Sequence, residues 1–458
     1  MVSPLHIGVL AFPFGTHAAP LLTLVQRLAA SAPWIQFSFF NTSASNDKIF
    51  NAHVSGSYDN IKVYNVWDGT SEGFFGSHFE AVGLFLKASP GNFEKVIGEA
   101  EEETGLEICC FISDAFLWFA CDLADRKGVP WVAFWTAASC SLSAHVYTQE
   151  IVKAGGLSST ETAEEETTVS FVPGLEMVRF SDLPPEIFLD KNPSPFALTI
   201  NIMVQKLPQS TAVVLNSFEE IDPVITNDLK SKFQHFLNIG PSILSSPTPT
   251  SPDDKTGCLS WLEKQSRPKS VIYISFGSVV TPPENELVAL AEALETCKFP
   301  FLWSLKDHAK KSLPEGFLNR TIAFGKIVPW APQLQVLGHK SVGLFVTHCG
   351  WNSILESICG SVPMICRPFF GDQKLNGRMV EDSWKIGVRI KGGVFTKNET
   401  IEVLNNMMSG EEGKKVRENI YQLKEKAVNA VDFEGSSTKN FKKLLEIIGG
   451  PKCDKKLV

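Results

Sequence analysis

The feature that narrows the fold of this chain most is an alternation. Short, almost wholly apolar runs are separated by helix-length segments, in two blocks on either side of a proline-rich stretch. In the first block, residues 5–12 form an apolar run closed by Pro13 and Gly15, and residues 18–30 follow with helical apolar spacing. Runs at 35–40, 108–112, 130–134 and 212–215 repeat the pattern. Strands that are apolar throughout, rather than at every second position, belong to parallel sheets covered on both faces by helices. The N-terminal half is therefore expected to be doubly wound α/β.

Residues 241–256, PSILSSPTPTSPDDKT, hold four prolines among small polar residues and read as a linker. Beyond them the alternation resumes, with apolar runs at 271–275, 301–303, 343–346 and 362–366 and helices at 283–297 and from Gly350. The expected organisation is an N-terminal α/β domain over 1–240, the linker over 241–256, and a C-terminal α/β domain over 257–458. The charged, helix-periodic residues 411–448 end in a helix expected to pack back toward the N-terminal domain. Residues 154–169, AGGLSSTETAEEETTV, read as an exposed loop. Two doubly wound domains facing each other leave a ligand crevice between them, at the C-terminal ends of their strands.

Composition removes several function classes. The net charge is −8 with no dense basic stripe, so nucleic acid is not an expected partner. Ten cysteines without a C-x-x-C spacing give neither a disulfide framework nor a zinc ribbon. No apolar run reaches the ~18 residues of a membrane span. The first ten residues lack a basic secretory front, so a cytoplasmic location is expected and the sequons at Asn41, Asn319 and Asn398 carry no weight. The dinucleotide fingerprint G-x-G-x-x-G and the P-loop are both absent. There is no Asp-x-Asp pair either, so a bound phosphate is expected to be held without a metal, and no cofactor is expected.

The densest chemistry lies in residues 330–373, WAPQLQVLGHKSVGLFVTHCGWNSILESICGSVPMICRPFFGDQ. A strand ending near Thr347 runs through His348, Cys349 and Gly350 into a helix. A helix N-terminus offers unpaired N–H groups and about half a positive charge, which suits a phosphate where lysines are few. His348 adds a donor at that mouth. Asn352 and Glu356, four residues apart, share a helical face, which puts a carboxylate one turn behind the phosphate, within reach of ribose hydroxyls. Trp330 supplies a flat face for a base. Taken singly, a strand-Gly-helix turn is generic to α/β folds and a lone Trp is more often core. Together within 44 residues they point to a nucleotide.

That segment resembles the donor-binding signature of the plant secondary-product UDP-glycosyltransferases in its WAPQ start, its HCGWNS-x-x-E centre and its DQ end. The stretches FPFGTHAAPLL, SDAFLWFACDLA, FWTAASCSLSAHVY, LNSFEEID and RPFFGDQKLNGRMVED resemble the flavonoid and anthocyanidin 3-O-glucosyltransferases. The resemblance implies a GT-B fold, two facing Rossmann-like domains with the donor on the C-terminal and the acceptor on the N-terminal one. It implies inverting transfer of glucose from UDP-glucose to the 3-OH of a flavonoid or related phenol. By position, Trp330 would stack on uracil, Ala331 and Gln333 bind its edge, and Glu356 hold the ribose. Ser278, His348, Asn352 and Ser353 would meet the diphosphate, and Thr136, Trp351, Asp372 and Gln373 the sugar. Gln373 resembles the glucose users of the family rather than the galactose users.

Displacing a diphosphate directly from a sugar needs an acceptor oxygen, a base for its proton and stabilisation of the leaving charge. His17, in the loop after the first strand, matches the base of the family within FPFGTHAAP. Asp114, at the end of another strand, fits the partner that orients an imidazole, and reads equally well as a helix N-cap before Phe116. Phenols ionise near pH ~10, far more easily than alkyl alcohols, which suits an imidazole base. Phe14, Phe116, Phe188 and Phe370 are candidate walls for a planar acceptor, and His145 a partner for its hydroxyl. Phe12, Trp135 and Phe369 lie near the same loops, whereas Trp118 and Phe119 are expected on a helix and in the core. Residues 71–80, SEGFFGSHFE, depart from the amide side chain expected to reach the acceptor. The chain is expected to act as a monomer. Two other functions compete: a sugar-nucleotide sensor without turnover, and a UDP-sugar epimerase or hydrolase on the same fold.

Overall fold

Thirteen parallel strands in two sheets carry the molecule, which is a computed structural model describing residues 5–52, 58–71, 73–155, 167–188, 193–245 and 254–449. The first sheet contains β1 (Leu5–Leu10), β2 (Ile35–Thr42), β3 (Ile61–Val66), β4 (Ile108–Asp114), β5 (Trp131–Trp135), β6 (Ala212–Leu215) and β7 (Phe236–Asn238), in the order β3-β2-β1-β4-β5-β6-β7. The second contains β8 (Val271–Ser275), β9 (Phe301–Ser304), β10 (Gly325–Val328), β11 (Val342–Thr347), β12 (Met364–Cys366) and β13 (Gly387–Arg389), in the order β10-β9-β8-β11-β12-β13. The two sheets are the doubly wound α/β halves that the apolar runs announce.

Alternation of side chains across the strands builds the layers. Ile7, Phe37, Phe39, Cys110, Ile112, Val132 and Phe134 pack on one face of the first sheet. Leu10, Phe40, Phe111, Ala133 and Trp135 pack on the other, in a core that continues into the second half through Tyr273, Trp351 and Leu355. Burial on both faces is what makes these strands read as unbroken apolar runs.

The strands that periodicity does not reveal are all peripheral. β3, β7, β10 and β13 are the outer strands; β3 is only partly covered, and β7 and β13 are three residues long. Trp118 and Phe119 lie in a turn rather than on a helix, because the helix starts at Ala120; Phe119 is buried there and Trp118 half-buried. Of the stretch read as an exposed loop, 156–166 lie outside the described residues, as do 246–253 of the proline-rich stretch and Glu72 in the segment 71–80. No described helix is long and apolar enough to cross a membrane.

The last helix, Ser436–Gly449, leaves the second half and lies on the first sheet. Phe441, Leu444, Leu445 and Ile448, spaced as one helical stripe, join the core that contains Ile7 and Val9. Arg27 stacks its guanidinium over the Phe441 ring at 3.9 Å and donates to the Ile239 carbonyl at 2.7 Å. Asn440 ties the helix to the Asn238 carbonyl at 2.9 Å. Leu444→Ala is expected to cost about 2–5 kcal/mol by opening a cavity under this helix, measurable as a lower Cm of the first half in urea.

Candidate active site

The front of the site forms where β1 and β4 lie side by side and their connections diverge, the point at which doubly wound sheets bind ligands. Leu10 pairs with Ser113, so the loop after β1 and the end of β4 leave the sheet together. That loop turns at Gly15 with φ +62, a left-handed conformation that glycine adopts without strain, and presents His17 just ahead of the helix Ala18–Ser31. His17 Nδ1 lies 2.8 Å from Asp114 Oδ2. Asp114 Oδ1 accepts the Phe116 amide at 3.0 Å, so the carboxylate serves the imidazole with one oxygen and caps its own turn with the other. Since a carboxylate accepts, Nδ1 carries the proton and Nε2 keeps its lone pair. No described residue hydrogen-bonds Nε2, and His17 is 21% exposed whereas Asp114 is at 1%. The Thr136 hydroxyl, just past β5, sits 3.0 Å from the same Nδ1.

The rear of the site repeats this geometry where β8 and β11 are neighbours. β11 ends at Thr347, the chain passes through Cys349 at φ +67, and the helix Trp351–Gly360 begins. Two glycines make room for the His348 ring: a Cβ on Gly277 would stand 3.0 Å from it, and one on Gly350 2.6 Å from Nε2. Burial pushes His348 down to about 4, so it is a neutral donor at physiological pH, and its Nδ1 is enclosed with no partner among the described residues. Beside it Ser278 is exposed, its carbonyl accepting from Lys306 Nζ at 2.7 Å.

Gln333 opens the short helix Gln333–Leu337 and gathers the next group. Its Nε2 donates to Ser353 Oγ at 2.7 Å and to Glu356 Oε2 at 2.6 Å, while its Oε1 accepts from the Tyr273 hydroxyl at 3.3 Å. Desolvation raises Glu356 to about 7 against the pull of the Gln333 amide. Trp330 stands 60% exposed next to the buried Ala331. On the far side, Arg367 grips Glu286 through two hydrogen bonds of 2.9 and 2.6 Å and covers the Phe369 ring, which fixes the loop leading to Asp372. Gln373 accepts the Phe369 and Phe370 amides at 2.9 and 3.3 Å with its carbonyl oxygen. Burial raises Asp372, opposed by a hydrogen bond from Asn376 and by the positive charge that His17 carries when protonated.

The Trp351 indole is buried, and its N–H donates to the Asn216 carbonyl at 3.0 Å, so its ring is engaged inside the protein. Among the acceptor candidates, Phe116 stands 4.7 Å from the His17 ring, and Phe14 joins it through Phe12 at 5.3 and 5.5 Å. Phe196, which sequence reasoning passed over, extends this aromatic wall, and the fully buried Phe85 backs it. His145 is buried against Trp135 and lowered to about 4, Phe188 packs beside Phe180, and Phe370 is half exposed. Front and rear meet directly: Asn352 Nδ2 donates to Thr16 Oγ1, the neighbour of His17, at 3.3 Å. Cys121, Asp122 and Asp125, the one metal-sized group among the described residues, lie on another helix, where Asp122 is paired with Lys206 at 2.7 Å.

The UDP-glucoronosyl and UDP-glucosyl transferase family model matches residues 83–429. The chain belongs to this family. It is a UDP-dependent glycosyltransferase, and among its relatives it is 56% identical to a flavonol 3-O-glucosyltransferase of Actinidia chinensis var. chinensis over 447 residues, 97% of each chain. It is also 56% identical over 446 residues to an anthocyanidin 3-O-glucosyltransferase of Gentiana triflora, 96% of this chain and 97% of that one. A crystal structure of a UDP-glucose: anthocyanidin 3-O-glucosyltransferase in complex with UDP superposes with a TM-score of 0.92 at 41% identity, covering 98% of this glycosyltransferase and all of that chain. The two facing sheets are the GT-B architecture.

Glu356 gives the unliganded glycosyltransferase a pH signature. Its folded carboxyl stays protonated up to about 7 while an unfolded one ionises near 4.5, so this residue costs stability as pH rises through that window. Glu356→Gln is expected to leave Tm unchanged near pH 4 and to raise stability by on the order of 2 kcal/mol at pH 8, read by thermal melts at both pH values.

Proposed function

We propose that this glycosyltransferase moves glucose from UDP-glucose to the 3-OH of a flavonoid or related phenol, with inversion and with His17 as general base. The observation that carries this reading is the open Nε2 of a His17 oriented by Asp114, beside a helix N-terminus joined to it through Thr16 and Asn352. The acceptor oxygen attacks the anomeric carbon as its proton passes to Nε2, the bond to the diphosphate breaks, and UDP departs with the electron pair. Attack opposite the leaving group inverts that carbon. Asp114 stabilises the imidazolium.

The first amides of the helix Trp351–Gly360, neutral His348, Asn352, Ser353 and Ser278 hold the diphosphate. Trp330 stacks on uracil, Ala331 and Gln333 meet its edge, and Glu356 accepts from the ribose hydroxyls. Asp372, Gln373, Thr136 and the Trp351 amide hold the sugar. Phe14, Phe116, Phe188 and Phe370 enclose the planar acceptor, with His145 available to a hydroxyl. No metal takes part. A relative that carries flavonol 3-O-glucosyltransferase in its name supports the acceptor and its position. We place the enzyme in the cytoplasm, where thiols such as the nine unpaired described cysteines stay reduced, and consider it a monomer because one chain supplies both sides of the site.

The test is incubation with a flavonol and either UDP-glucose or UDP-galactose, read by product mass and retention. A flavonol 3-O-glucoside is expected; free sugar, an isomerised donor or unchanged substrates would each point elsewhere. His17→Ala is expected to lower transfer by at least about 10²-fold while UDP-glucose affinity holds, and equal loss of binding would make His17 structural.

A further inference from the structure

Asn376 lies on the helix Gln373–Arg378 with no exposed surface. Its Nδ2 donates to the Cys349 carbonyl and to Asp372 Oδ2, both at 3.0 Å, and its Oδ1 accepts from Cys140 Sγ at 3.6 Å. The chemistry fixes the orientation of the amide, because a flip would set its carbonyl oxygen against two other oxygens at 3.0 Å. The three partners come from three parts of the site. Cys349 is the strained turn of the phosphate cradle, Asp372 ends the loop after β12, and Cys140 belongs to the front helix Ser139–Val146.

We propose that Asn376 is the positioning residue that aims the Asp372 carboxylate at the donor sugar and holds it in register with the diphosphate cradle. The proposal rests on the reading that Asp372 accepts hydrogen bonds from sugar hydroxyls. A carboxylate partly removed from water needs donors to stay ionised and to keep one rotamer. Among the described residues no lysine or arginine pairs with Asp372, and Asn376 is the one side chain that hydrogen-bonds it. The other titratable groups facing Asp372 are His17 and Glu186 from the front half, Cys140 from the front helix, and Cys349 from the cradle, which itself feels Cys366 and Arg389. His17 is the one of these that can lend positive charge to Asp372 directly. Because one NH2 group serves both Asp372 and the Cys349 carbonyl, the sugar-binding oxygen is indexed to the turn that starts the phosphate-binding helix.

The decisive measurement compares UDP with UDP-glucose binding by calorimetry from about pH 5 to 8, in the parent enzyme, Asn376→Ala, Asn376→Asp and Asp372→Asn. UDP is expected to bind all four alike. The affinity that the glucose moiety adds is expected to fall roughly 10-fold in Asn376→Ala. The pH at which that gain appears should move upward in Asn376→Ala, and further in the nearly isosteric Asn376→Asp, where a second carboxylate adjoins the first. Asp372→Asn should lack the gain at every pH. If both Asn376 variants keep the parent gain and its pH dependence while Asp372→Asn loses it, the positioning role is overturned. If the Asn376 variants lose UDP and UDP-glucose equally, Asn376 merely holds the fold and the proposal also fails. Retention of the gain by Asp372→Asn would instead remove Asp372 as a sugar ligand.

Discussion

A parallel strand hands its chain on at one edge of the sheet, and where neighbouring connections part to opposite faces, two chain exits are left side by side with nothing between them. Each sheet here has one such place. In the first, β1 and β4 deliver His17 and Asp114 to within a hydrogen bond, although 97 residues separate them in sequence. In the second, β8 and β11 deliver Gly277 and His348 into contact. The halves are turned so that these two edges meet, through Thr16 and Asn352. The rest of the fold, from the apolar layers to the returning last helix, maintains that meeting.

Burial rather than net charge sets the electrostatics of the rear half. Desolvation leaves His348 neutral and pushes Glu356 and Asp372 upward, and the donors that offset it are amides: Gln333 for Glu356 and Asn376 for Asp372. A surface of backbone N–H groups and a neutral imidazole suits a dianionic diphosphate in a protein whose net charge is −8, because it acts at hydrogen-bond range without competing for bulk counterions. The ion pair between Arg367 and Glu286 braces a loop.

What the sequence disclosed follows from what each residue type must do locally. Strands buried on both faces showed as apolar runs, and the turn into the Trp351–Gly360 helix showed through its Gly and small polar residues. β3, β7, β10 and β13 did not, since an outer strand need be neither long nor apolar throughout. Within the site, residues grouped along the chain, such as Gln333, Ser353 and Glu356, were legible, and so was Asp114 once both duties of its carboxylate are counted. Contacts made across the crevice left no local trace. That Asn216 takes the Trp351 indole depends on how two halves dock, and that Asn376 serves two oxygens at once depends on how the loop after β12 packs on the turn at Cys349. An i, i+4 spacing from Asp372 to Asn376 was the only cue for the latter, and such pairs are common on helices.

The Trp351 indole bears on how this architecture diversifies. It roots the start of the phosphate-binding helix in the opposite half, yet its acceptor is the main-chain carbonyl of Asn216, a group that every residue type provides. Recombining halves from different ancestors would preserve that anchor whatever side chain stood at the position. The buried contacts of Asp182 with Arg378 and Arg389, and of Asp222 with Trp384, demand matched side chains on both sides. Shuffling of acceptor and donor modules is thus permitted at one seam of the molecule and policed at the other.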